Sequence, residues 1–208
     1  MTKQTYGYGP HLMLDLNDCN PAILDDLDAC FTLLNELPEK ISMTKITQPY
    51  LFRYSGLMPE HGGITGVTII AESHISLHTY PRKGYAFVDL FSCKVVTRFT
   101  SISPRSKFEE DLWKMTKQTY GYGPHLMLDL NDCNPAILDD LDACFTLLNE
   151  LPEKISMTKI TQPYLFRYSG LMPEHGGITG VTIIAESHIS LHTYPRKGYA
   201  FVDLFSCK

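Results

Sequence analysis

An α+β fold is predicted, in which an antiparallel sheet carries helices on one face and two such units pair sheet to sheet as an αββα sandwich. Three observations predict it. Residues 1–94 recur without substitution as 115–208, so the 208-residue chain holds two copies of one small domain. Each copy contains several short runs rich in β-branched and aromatic residues, the mark of strands. Each also contains one amphipathic helical stretch, which covers one sheet face and leaves the other for the second copy.

The elements of the first copy follow in order. HLMLDL (11–16) alternates and suits a strand. Asn20-Pro21 is a helix start, with Asn as N-cap and Pro in the first turn. Ile23, Leu24, Leu27, Phe31 and Leu34 then recur at helical spacing. Asp25, Asp26 and Asp28 lie off that stripe near the positive end of the helix dipole, and Pro38 is expected to end the helix. ISMTKIT (41–47) and PYLFRY (49–54) read as strands, and LMPEHGGITG as a turn region. GVTIIA (66–71), SHISLHTY (73–80) and YAFVDLF (85–91) read as three more strands, the last two joined by a turn at PRKG (81–84).

The boundaries are 1–114 for the first unit with its tail and 115–208 for the second. Residues 95–114 separate the repeats and hold the only tryptophan, Trp113. Natural duplications diverge, so identity implies a very recent duplication, an engineered tandem, or two protomers run together. Met115, which restarts the N-terminal sequence, favours the last two. Two identical units are expected to pair about a pseudo-twofold axis, as a homodimer would.

A net charge of −5 argues against a nucleic-acid partner. The N-terminus lacks the pattern of a signal peptide and no apolar run is long enough to span a bilayer, so a cytoplasmic protein without a membrane partner is expected. The six cysteines form no C-x-x-C pair and are expected as thiols.

The chemistry concentrates in AESHISLHTYP, residues 71–81 and again 185–195. On a strand His74 and His78 would lie roughly 13 Å apart, too far to share one metal, so no metal site is expected. A serine hydrolase would want a G-x-S-x-G turn, which is absent. Read alone, the run is a strand face of solvated polar residues.

The run does not stand alone. Together with GPHLMLDL, MTKIT, the GGITGV turn and GYAFVDLFSCK, it resembles the prokaryotic S-adenosylmethionine decarboxylases, self-cleaving pyruvoyl enzymes of polyamine synthesis. The resemblance covers nearly all of residues 9–94 and their copy. It implies cleavage at Glu72-Ser73 and Glu186-Ser187. The serine hydroxyl attacks the preceding carbonyl and converts the peptide to an ester. Loss of the serine α-proton expels the ester as a carboxylate, and the dehydroalanine left behind becomes a pyruvoyl group. That cofactor, generated from Ser73 and Ser187, forms a Schiff base with a small amine-bearing substrate and takes up the electrons left by carbon dioxide.

By the same resemblance His78 and His192 assist self-processing, and Cys93 and Cys207 return a proton to the substrate. Thr65 and Thr179 stand where the family commonly has a processing serine, and His74 is structural. Arg82 and Arg196 replace a glutamate that binds the ribose hydroxyls, an exchange of an acceptor for a donor. They are candidates for substrate binding, or simply turn residues. The family also has a helix after the cysteine, whereas VVTRF follows Lys94 directly, so a segment after Cys93-Lys94 is expected to be missing from both copies.

The implied function is S-adenosylmethionine decarboxylation, which supplies aminopropyl groups for spermidine. The alternatives are a pyruvoyl-dependent arginine or ornithine decarboxylase and an unprocessed, non-catalytic relative.

Overall fold

The computed structural model describes residues 11–55, 59–71, 73–92, 125–169, 173–185 and 187–206. The first unit runs β1 (His11–Leu16), α1 (Pro21–Leu24), α2 (Leu27–Lys40), β2 (Tyr50–Tyr54), β3 (Gly63–Ile70), β4 (Ser73–Tyr80) and β5 (Tyr85–Ser92). The second repeats it as β6 (His125–Leu130), α3 (Pro135–Leu138), α4 (Leu141–Lys154), β7 (Tyr164–Tyr168), β8 (Gly177–Ile184), β9 (Ser187–Tyr194) and β10 (Tyr199–Ser206). Each unit is a five-stranded sheet, in the order β1-β5-β4-β3-β2 and β6-β10-β9-β8-β7. Every pairing is antiparallel.

The helical stretch differs from the sequence reading in three ways. It is two helices, because Asp26 interrupts the run and caps α2, accepting from the amides of Asp28 at 2.9 Å and Ala29 at 3.2 Å. Asn20 caps α1 as expected. Pro38 does not end α2 but lies inside its last turn. The helix closes at Ile41 and Ser42, whose positive φ of 61° lets Met43 N–H reach the Pro38 carbonyl at 2.8 Å. The buried stripe is Cys30, Leu34 and Pro38, whereas Leu27 and Phe31 are exposed. ISMTKIT is a further departure, making only an isolated bridge, Lys45 to Ile70. Strand β3 starts earlier than expected, at Gly63 inside the supposed turn region.

Alternation along the strands sorts residues to two faces. Ile64 and Ile70 of β3, Ile75 and Leu77 of β4, and Ala86, Val88 and Leu90 of β5 form one core with Leu24, Cys30 and Leu34 of the helices. The other face meets the second unit. There Val67 and Ile69 join Val181 and Ile183 in a shared cluster, flanked by Phe52 and Phe166. Phe87 stacks on Phe205 at 3.9 Å between centroids, and Phe91 on Phe201 at 4.0 Å. The layers are therefore helix, sheet, sheet, helix, the predicted αββα sandwich.

Two glycines make close approaches possible. A Cβ on Gly63 would sit 1.8 Å from the Thr79 carbonyl oxygen, so only glycine fits beside β4 there. Gly84 closes the β4–β5 turn at φ +59°. Residues 93–124, which include Cys93, Trp113, VVTRF and the expected site of a missing helix, lie outside the described residues, as does Cys207. No disulfide joins Cys19, Cys30, Cys133 and Cys144. Among the described residues no helix is long and apolar enough to cross a membrane.

Candidate active site

The histidines of the repeated motif are not solvated. His74 and His188 are fully buried, and His78 and His192 are 1% exposed. They fall at even positions of β4 and β9, opposite in parity to Ile75, Leu77 and Ile189, and so lie on the face shared by the two sheets. The expectation of a water-exposed polar face fails because the second copy's sheet covers it.

Across that interface the strands pair their histidines in opposite directions. His74 Nδ1 lies 3.1 Å from His192 Nε2, and His78 Nε2 lies 3.1 Å from His188 Nδ1. Both imidazole pairs stack at 5.4 Å between centroids. The outer nitrogens continue the chain. His78 Nδ1 shares a 3.2 Å hydrogen bond with Thr65 Oγ1, and His192 Nδ1 a 3.2 Å bond with Thr179 Oγ1. These contacts follow from register, since β3 pairs Thr65 with His78 and β8 pairs Thr179 with His192.

At the centre the two inner histidines meet two aspartates that the motif did not include. His74 Nε2 lies 3.5 Å from Asp89 Oδ2 and 3.8 Å from Asp203 Oδ2. His188 Nε2 lies 3.8 Å and 3.4 Å from the same two oxygens. His125 hydrogen-bonds the other oxygen of Asp203. A signal for these residues was present. Asp89 is a lone carboxylate inside the apolar strand YAFVDLF, at the same parity as Phe87 and Phe91 and beside Ser76 of β4 in register.

Burial sets the charge states. It pushes the pKa values of His74, His78 and His192 down, that of His192 to about 3, and the neighbouring histidines push the same way. For Asp203 burial opposes ionisation, but the hydrogen bond from His125 and the nearby imidazoles of His188 and His74 outweigh it and keep the carboxyl below its usual range. For His125 the bond to Asp203 overcomes burial and raises its pKa.

Ser73 and Ser187 open β4 and β9. Ser73 registers against Ile70 across a two-residue connection, Ala71-Glu72, and against Ser92, the residue before Cys93. Ser187 stands likewise against Ile184 and Ser206. His78 lies five positions along the strand from Ser73, roughly 16 Å away. His192 of the other copy instead bonds His74, the residue next to Ser73. Glu72, Glu186, Cys93 and Cys207 lie outside the described residues.

Arg82 and Arg196 stand apart from this cluster, exposed in the turns after β4 and β9. Arg196 lines a surface cleft of about 440 Å³ with Asp139, Arg167 and Tyr168.

Comparison with known proteins places both copies. The family model described as S-adenosylmethionine decarboxylase matches residues 10–107 and 124–208. The chain is 40% identical over 88 residues to the S-adenosylmethionine decarboxylase proenzyme of Thermodesulfovibrio yellowstonii, covering 42% of this chain and 61% of that protein. It is 41% identical over 85 residues to the proenzyme of the same name from Parasynechococcus marenigrum, covering 41% and 62%. For that of Pyrococcus abyssi it is 35% identical over 85 residues, covering 41% and 57%. The chain thus spans less than two thirds of the length of these relatives. The crystal structure of the adenosylmethionine decarboxylase from Aquifex aeolicus aligns with a TM-score of 0.36 at 30% identity, covering 42% of this chain and 67% of that one. With the family's pattern matched in both halves, the chain belongs to the S-adenosylmethionine decarboxylase family.

Proposed function

We propose that the chain is a self-cleaving, pyruvoyl-dependent S-adenosylmethionine decarboxylase with two sites, each built from both copies. The observation that carries this reading is the pairing of each Thr–His pair with the histidine that follows the other copy's serine: His192 and Thr179 with His74, and His78 and Thr65 with His188.

The hairpin geometry suits cleavage. The Glu72-Ser73 bond falls in the two-residue connection between β3 and β4, so breaking it leaves the ladder from Thr65↔His78 to Ile70↔Ser73 in place. The upstream end stays tied, since Ala71 N–H donates to the Thr44 carbonyl at 2.8 Å. A serine at that position fits a pyruvoyl group, because its hydroxyl is both the nucleophile and the leaving group. When formed, the pyruvoyl supplies an electrophilic carbonyl that takes up the electrons left by the departing carboxylate.

The chain's own residues do the rest. His192 is assigned the assistance of self-processing, and Thr179 orients its ring through Nδ1. The interface around it excludes water through Phe91, Tyr194, Tyr199 and Phe201. Cys93 is assigned proton return to the product carbon. The family name of the relatives favours S-adenosylmethionine over arginine or ornithine. Arg82 and Arg196, exposed in their turns, are assigned no contact with the reacting atoms. The aminopropyl product would serve spermidine synthesis in the cytoplasm, and a homodimer of single units would make the same two sites.

Intact mass under denaturing conditions tests the first half. Full processing gives three pieces, 1–72, 73–186 and 187–208, the last two beginning with pyruvoyl. A single uncut mass would favour the non-catalytic reading. Release of carbon dioxide from S-adenosylmethionine tests the second half, and release only from arginine or ornithine would overturn the substrate.

A further inference from the structure

We propose that His74, Asp89, His188 and Asp203 form a site for one divalent transition metal ion of the zinc class, at the pseudo-twofold axis between the sheets. One ligand atom from each lies within 4.8 Å of every other, and all four side chains are fully buried. Sequence spacing hides the site, since each copy supplies one histidine and one aspartate.

The distances fit coordination better than hydrogen bonding. The four nitrogen–oxygen separations are 3.4, 3.5, 3.8 and 3.8 Å. Hydrogen bonds between such atoms run at about 2.7–3.2 Å. A tetrahedral ion with bonds of about 2.0–2.2 Å sets its ligands about 3.3–3.6 Å apart. His74 Nε2, His188 Nε2 and Asp203 Oδ2 make no hydrogen bond, although all are buried and aimed at one point. The hydroxyls of Ser76 and Ser190, beside Asp89 and Asp203 in register, are buried and unbonded as well. Leaving so many polar atoms without partners is costly, and one cation engages the central ones. Two aspartates and two imidazoles are also a donor set that suits such an ion.

The surroundings are those of a metal site. A ligating histidine commonly gives its second ring N–H to an acceptor. Here His74 Nδ1 meets His192 and His188 Nδ1 meets His78, while His125 holds the outer oxygen of Asp203. With the metal on each Nε2, the Nδ1–H of His74 donates to His192, whose own Nδ1–H then donates to Thr179. The ion thereby fixes the tautomer of both outer histidines.

The test does not depend on decarboxylation. The full chain is stripped with a chelator, returned to Zn²⁺ or Co²⁺, passed through gel filtration and assayed for metal. One ion per chain, and for Co²⁺ the intense visible absorption of four-coordinate geometry, are expected. In His74→Gln/His188→Gln both are expected to vanish. Asp89→Asn/Asp203→Asn serves equally if the first variant fails to fold. Absence of uptake by the folded wild-type chain, uptake unchanged in a folded variant, or the weak Co²⁺ spectrum of an octahedral surface ion would each overturn the proposal.

Discussion

On β4, Ile75 and Leu77 pack under the helices, while His74, Ser76 and His78 on the intervening positions meet the other unit. The helix-side face is apolar and complete within one copy. The sheet-side face mixes phenylalanines with four histidines and two aspartates, and each of those histidines meets a histidine of the other copy. The difference divides a single strand: Ile75 and Leu77 pack within the unit, whereas His74 and His78 meet histidines of the other unit. Substitutions on the two faces should therefore fail in different ways.

The largest effect is expected where the faces share a backbone constraint. Gly63→Ala forces a Cβ to 1.8 Å from the Thr79 carbonyl, so β3 and β4 must part. A loss of about 3 kcal/mol or more is expected in urea unfolding. Leu34→Ala comes next. Leu34 is fully buried under β3, and its truncation should cost about 2–5 kcal/mol while leaving the extent of cleavage unchanged at temperatures where the protein stays folded.

Acid should act on the other face. His74, His78 and His192 have pKa values lowered in the folded state, first by burial, so the unfolded chain binds protons more readily. Their contribution is complete above about pH 6.5 and is lost as pH falls below it, by up to about 1.4 kcal/mol per pH unit per histidine. His125, raised by Asp203, offsets part of this. Urea midpoints with chelator present should fall steeply from pH 7 to 5, and a flat profile would mean the histidines are not buried neutral.

The smallest effect concerns the helix-side thiols. Burial, then nearby aspartates, raises Cys30 to about 12 and Cys144 to about 11. Alkylation at pH 8 followed by peptide mass mapping should leave both unmodified until the chain is denatured.

The helix-side face was legible in the sequence because it obeys local rules. Asn20 and Pro21 start α1 where capping chemistry says, and alternation in SHISLHTY gives β4 its boundaries. Pro38 misled because a proline in a final turn sacrifices a bond without stopping the helix, and the reversal waits for Ser42 in a left-handed conformation. The sheet-side face was legible only in part. Ser73, Thr65 and His78 came from a resemblance. Asp89 and Asp203 stayed hidden because neither sits near a histidine in sequence.

The composite site is the central claim, and one variant tests it most directly. His192→Ala leaves His78 intact, so the tandem chain contains one altered and one native histidine. Denaturing mass spectrometry should then find the Glu186-Ser187 bond cut and the Glu72-Ser73 bond whole, giving pieces 1–186 and 187–208. Cutting at Glu72-Ser73 with Glu186-Ser187 left whole would show that each histidine serves its own strand, and would contradict the account.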